Sequence, residues 1–180
     1  MARSRLNERL RRAGESALTL VSAPAGFGKT TLLTDWLTTA PGDGRATAWL
    51  SLDHSDNDPA LFWAYFIAAL KTAAPGVGEG ALALLRSTEP PREAFVVTLL
   101  NDLAAVSDEV VVVLDDYHVI EEPDIRDGMA YLVEHLPPQI RLVIATRADP
   151  ALPLPRLRAR GQLVEIRAAD LRFTLGEAAA

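Results

Sequence analysis

The chain has 180 residues, 49% apolar and only 6% aromatic, enough for one domain with an aliphatic core. A formal net charge of −6 and a pI of about 5.1 weigh against this segment gripping a nucleic-acid backbone, and the lack of cysteine removes disulfides and thiolate metal sites. No apolar run reaches the about 18 residues of a membrane span, and the basic, polar start has no apolar signal-peptide core, so the expected location is the cytoplasm.

Residues 3–13 read as a short basic lead-in, helical in part, and 1–14 are set apart from a domain proper at 15–173. The apolar run 17–22 is a strand that stops at a Pro/Gly loop, and a helical pattern follows over 29–38 with Leu32, Leu33, Trp36 and Leu37 on one face. The stretch 41–44 breaks the chain, and 46–52 form a second strand. Asp58-Pro59 joins an N-cap acceptor to a proline whose missing N–H is not needed in a first turn, so a helix opens there and runs to Lys71. Leu61, Phe62, Trp63, Phe66, Ile67 and Leu70 make that helix apolar almost all round, which predicts burial rather than a base-stacking platform.

The Gly/Pro/Ala-rich stretch 72–91 is the least structured, with a short helix near 82–86. A helix over 92–105 carries Phe95, Leu99 and Leu103 on one face. Val110-Val111-Val112-Val113-Leu114 is a strand of unbroken aliphatics ending at Asp115 and Asp116. A helix over 125–136 is closed by Pro137-Pro138, a strand follows at 140–146, and 163–166 form a last short one. Thr174 and Glu177 have capping-box spacing, so 174–180 are expected to open a helix of a following domain that the chain does not complete. Aliphatic strands alternating with helices predict an α/β three-layer sandwich of the P-loop NTPase type. Its five-stranded sheet is expected to be mainly parallel, with the phosphate-binding strand central.

The strongest chemical signal is Ser22-Ala23-Pro24-Ala25-Gly26-Phe27-Gly28-Lys29-Thr30-Thr31, set between a predicted strand and a predicted helix. Gly26 and Gly28 permit backbone conformations that turn N–H groups inward. The cradle formed by Pro24, Ala25, Gly26, Phe27 and Gly28 then leads into the positive end of a helix. Lys29 would reach the β- and γ-phosphates, Thr30 would ligate magnesium and Thr31 would contact the α-phosphate. The motif G-x-x-x-x-G-K-[ST] has glycine where this chain has Ala23. Alanine is small and the cradle amides come from later positions, so binding is expected to survive.

Asp115, at the end of a buried strand, would hold the magnesium, and Asp116 would orient or polarise an attacking water. Thr146-Arg147 ends the next strand. Arg147 reads either as a cation that senses the γ-phosphate or as an exposed arginine in a turn. Arg156, Arg158 and Arg160 read as a solvated face, with phosphate, a neighbouring domain or a partner as other readings. Thr146-Arg147-Ala148-Asp149 resembles the guanine-reading [NT]-K-x-D. Arginine stands for the lysine, however, and Asp115 lacks the D-x-x-G switch glycine, so ATP and ADP are preferred to GTP. His54, His118 and His135 have no metal-ligand spacing.

The run from Val21 to Leu32 resembles the ATPase domain of MalT-like, LuxR-type large ATP-binding transcription regulators, of the STAND class of signal-transduction ATPases. Trp49-Leu50-Ser51-Leu52-Asp53, Asp115-Asp116-Tyr117-His118 and Thr146-Arg147-Ala148-Asp149-Pro150 match as well, as does the stretch from Leu154 through Arg160 to Phe173-Thr174. The family pattern often has alanine at the place of Ala23. The resemblance implies ADP held at rest, exchange for ATP on induction, self-association, and DNA contact through a separate C-terminal helix-turn-helix. It also implies regulatory and sensor domains following this one. The expected function is therefore an ATP/ADP and Mg2+ switch with at most slow hydrolysis, in which Lys29, Asp116 and Arg147 carry the chemistry. The rival is a small-molecule P-loop kinase, with 72–91 and the arginines from Arg156 to Arg160 imitating its lid.

Overall fold

A computed structural model describes residues 6, 9–10, 16–39, 45–87 and 94–172. The break at 41–44, the proline-containing end of 72–91, the start of the helix read from 92, the capping-box pair Thr174 and Glu177, both domain boundaries and most of the lead-in at 3–13 lie outside the described residues.

Five strands form one sheet: β1 (Leu18–Ser22), β2 (Ala46–Ser51), β3 (Val110–Asp115), β4 (Ile140–Thr146) and β5 (Leu163–Arg167). Every pairing is parallel, in the order β2-β3-β4-β1-β5. The expected three-layer α/β sandwich of the P-loop NTPase type is what forms. One detail differs: β4 takes the middle and β1 lies one strand in from the edge, flanked by β4 and β5. Similar aliphatic runs carry no signal for lateral order, which only the long-range pairing decides.

The helices are α1 (Lys29–Thr39), α2 (Pro59–Ala73), α3 (Glu79–Leu85), α4 (Ala94–Ala104), α5 (Pro123–Glu134), α6 (Leu154–Ala159) and α7 (Ala168–Leu171). α2 starts where its cap predicts, with Leu61 N–H donating to the Asp58 carboxylate at 2.9 Å. α5 starts two residues before its first core position because Pro123 fills a first-turn place, as Pro59 does in α2. α6 was legible only as a basic segment among prolines; its core contribution is just Leu154 and Leu157. No described helix is long and apolar enough to cross a membrane.

The unbroken aliphatic strands are buried on both faces. Val110, Val112 and Leu114 join α2, α4 and α5 in one core, while Val111 and Val113 join Leu32, Leu33 and Trp36 of α1 in the other. Leu6 and Leu10 pack into the α1-side core. Each fully buried aliphatic of this kind contributes about 1.5–3 kcal/mol against exposure. The rings of Phe62, Trp63, Phe66 and Phe95 contact one another inside the other layer, so the aromatic cluster is core. Parallel register sets Ser22 opposite both Thr146 and Arg167, and Ser51 opposite Asp115, so the functional edge is built from strand C-termini.

Candidate functional site

β1 and α1 are joined by the loop Ala23–Gly28, whose Gly26 and Gly28 have φ of 81° and 73°. A Cβ added to either would meet no atom within 4 Å, so the left-handed backbone, and not crowding, requires glycine there. Ala23 does not share this need. Its φ is not positive, it is 2% exposed, it packs in the α1-side core, and its N–H donates to Thr146 O at 3.2 Å. The departure from the glycine motif is thereby accommodated.

Lys29, the first residue of α1, is buried, and its Nζ donates to the carbonyls of Ala23 at 2.9 Å and Pro24 at 3.2 Å. Its pKa lies below the ordinary lysine value. Burial is the main cause, and the Arg147 cation adds to it, while Asp116 and Asp115 pull the other way. Pro24, Ala25, Gly26 and Gly28 face solvent, and Phe27 packs its ring partly against the α1-side core. The first turn of α1 has no acidic residue, so the positive end of the helix stays available to an anion.

Thr30 joins this loop to β3. Its Oγ1 donates to Asp115 Oδ2 at 2.8 Å, although 85 residues separate them. Asp115 is 3% exposed, and its Oδ1 accepts the Asp116 N–H at 3.0 Å. Thr31 follows on the exposed side of α1. The Asp116 carboxylate is about half exposed and stands beside the His118 ring, with Oδ1 3.6 Å from Nδ1. Arg147 is exposed at the end of β4, and its charge acts on both Lys29 and His118. Lys29, Thr30, Asp115, Asp116 and Arg147 thus stand at the C-terminal edge of the sheet.

Sequence reading missed His118. Among the described residues its Nδ1 is buried without a hydrogen-bond partner, and burial first, then Arg147, holds its pKa below the ordinary value. The signal for it in the sequence is its place two residues past Asp116. In the sequence Asp149 stands only in a guanine-like string. Its carboxylate is held by Arg167 and by the Ser22 hydroxyl, the latter at 3.4 Å. Arg156 and Arg158 are paired with Glu134 and Glu165, at 2.6 and 2.9 Å. A cavity of about 480 Å³ lies elsewhere, between α2, α4 and α5, lined by Trp63, Phe95, Gly128 and Tyr131 among others. It includes none of the residues above.

No family model matches the chain. It is 37% identical over 180 residues to a protein named HTH-type transcriptional regulator MalT from Cronobacter sakazakii, with 99% of this chain and 19% of that protein covered. It is 32% identical over 181 residues to a serine/threonine-protein kinase named PknK from Mycobacterium tuberculosis, with 100% of this chain and 16% of that protein covered. The chain therefore spans less than a fifth of the length of these curated relatives. Among solved structures, the Aeropyrum pernix ORC1 protein in complex with DNA superposes with a TM-score of 0.51 at 17% identity, over 91% of this chain and 43% of that one. That likeness supports the fold alone. The resemblance read from the sequence holds along its length: the chain is a homologue of the corresponding segment of MalT-type regulators.

Proposed function

We propose that this chain is the ATP- and ADP-binding switch domain of a multidomain signalling and transcription regulator of the STAND type. It binds Mg-ATP and hydrolyses it slowly at most. The observation that carries this reading is the 2.8 Å hydrogen bond from Thr30 Oγ1 to Asp115 Oδ2, which brings the helix after the glycine loop and the carboxylate that ends β3 to one point. These are the two side chains that would hold magnesium. The buried Lys29, the open-fronted glycine loop and the start of α1, whose own first turn carries no acidic residue, are what a phosphate chain needs beside them.

The division of work follows from charge. Backbone N–H groups of the loop from Pro24 to Gly28 and the start of α1 receive phosphate oxygens, and Thr31 stands beside them for the α-phosphate. Lys29 leaves the carbonyls of Ala23 and Pro24 for the β- and γ-oxygens. Magnesium, when bound, supplies a divalent charge that draws density from the phosphate oxygens. Asp116, flanked by the His118 ring at 3.6 Å, orients the attacking water, and Arg147 responds to the γ-phosphate. Because ATP and ADP differ at Lys29, Asp116 and Arg147, their exchange biases two arrangements of this domain against its neighbours.

ATP is favoured over GTP because the Asp149 carboxylate, where a guanine would be read, is already taken by Arg167 and Ser22. A small-molecule kinase is disfavoured because Arg156 and Arg158 are engaged in ion pairs on α6. The regulatory, sensor and DNA-binding functions, the ATP-dependent self-association and the cytoplasmic location are assigned to the whole protein. The acidic domain itself does not contact nucleic acid.

Calorimetry on Lys29→Ala tests the assignment. Mg-ATP and Mg-ADP binding should be lost while the fold is retained, and unchanged affinity would refute it. In Asp116→Asn, binding should stay within a few-fold while single-turnover hydrolysis falls by about 10²-fold or more. Wild-type turnover in that variant would remove Asp116 from catalysis.

A further inference from the structure

The loop that carries Arg147 is tethered on both sides of it. Before it, Thr146 Oγ1 donates to Ala148 O at 2.7 Å and closes a tight local turn. After it, Asp149 is held in a two-pronged grip by the Arg167 guanidinium, one prong at 3.1 Å. The same carboxylate accepts the Ser22 hydroxyl at 3.4 Å, and Ser22 is the last residue of β1 before the phosphate loop begins. Register explains the meeting: Ser22 pairs with Thr146 on one side and Arg167 on the other. Arg167 is itself braced by Glu165, which Arg158 holds at 2.9 and 3.1 Å. Its backbone N–H donates to Asp170 at 2.9 Å as α7 begins, so the brace also reaches the last described helix.

We propose that Asp149 and Arg167 are positioning residues that fix Arg147 beside the phosphate loop and thereby set the preference for ATP over ADP. This rests on the nucleotide-switch reading above. A flexible arginine on an untethered turn would lose side-chain and backbone freedom on meeting a γ-phosphate. A turn pinned at Thr146 and Asp149 has lost part of that freedom beforehand, and only the nucleotide with a γ-phosphate gains from it. Neither Asp149 nor Arg167 is assigned contact with the nucleotide, so their effect runs through Arg147.

The test compares Kd values of a slowly hydrolysed ATP analogue and of ADP, both with magnesium, on the intact protein. The variants are Asp149→Asn, Arg167→Met, Arg147→Ala and the Arg147→Ala/Asp149→Asn double. Each single variant should weaken the ATP analogue by about fivefold, the scale of a partly exposed ion pair, and leave ADP within about twofold. The double variant should match Arg147→Ala alone, since a clamp has nothing to position once its cation is gone. Equal losses for both nucleotides would make the pair merely structural and overturn the proposal. So would an unchanged ratio in Asp149→Asn and Arg167→Met, or losses that add in the double. If the wild-type protein binds neither nucleotide, the switch reading itself falls and the clamp with it, and an Arg147→Ala variant that leaves the ratio unchanged overturns the clamp alone. A normal wild type and a responsive Arg147→Ala with silent clamp variants would remove only the clamp.

Discussion

Asp116 has φ of 57° and ψ of 33°, the only left-handed residue besides glycine among the described residues. For an L-residue that conformation costs about 1–2 kcal/mol, and aspartate is one of the few that tolerates it. The turn separates two adjacent carboxylates: Asp115 faces Thr30, and Asp116 swings toward His118. The His118 ring is largely buried, and that burial, with the Arg147 and Lys29 cations, holds its pKa below 6.5 against the opposing pull of Asp116. The linkage sign follows. Below about pH 6.5 an unfolded histidine takes up a proton that the folded one resists, so stability is present at higher pH and is lost as pH falls through this window. His118→Gln, which does not titrate, should therefore lose less melting temperature than wild type between about pH 7.5 and pH 5.5. Equal losses would mean that His118 is not held neutral by its surroundings.

At the scale of elements, α2 and α5 meet through a glycine. A Cβ on Gly128 would stand 2.7 Å from Cζ2 of the buried Trp63, itself locked against Phe62, Phe66 and Phe95. Relief would need the ring to leave its contacts with Phe62, Phe66 and Phe95 for the cavity beside it. Gly128→Ala is expected to destabilise the fold by about 1–3 kcal/mol through overpacking, despite the better helix propensity of alanine. A chemical denaturation midpoint no lower than that of wild type would show that the α2–α5 contact is slack. The element that serves the site needs no such crowding. α1 lies on the opposite core, so strain between α2 and α5 should leave nucleotide affinity within about twofold.

For the whole molecule the decisive quantity is how much each nucleotide prefers the folded chain. A ligand at one hundred times its Kd stabilises by about 2.7 kcal/mol, which a melting curve reads directly. Mg-ATP and Mg-ADP should each raise the melting temperature, and Mg-GTP at the same concentration should raise it less. Equal shifts for all three would refute the adenine preference. The parallel sheet makes the shift global, because loop, Asp115 and Arg147 stand at the C-terminal ends of three adjacent strands, β1, β3 and β4 being consecutive in the sheet.

The sequence by itself determined the α/β class, the aliphatic strands, the Asp58-Pro59 helix start, and the loop and carboxylates around Lys29 and Asp115. All of these are written in local spacing: apolar periodicity, cap residues and a strand–loop–helix motif. Only the tertiary structure decided that β4 separates β1 from β3, that His118 stands against Asp116 across a left-handed turn, and that Arg167 reaches Asp149 and Ser22. Lateral strand order and parallel register arise from the packing of two cores on opposite faces of the sheet. No local spacing encodes them, because aliphatic strands of similar length are interchangeable until every neighbour is in place.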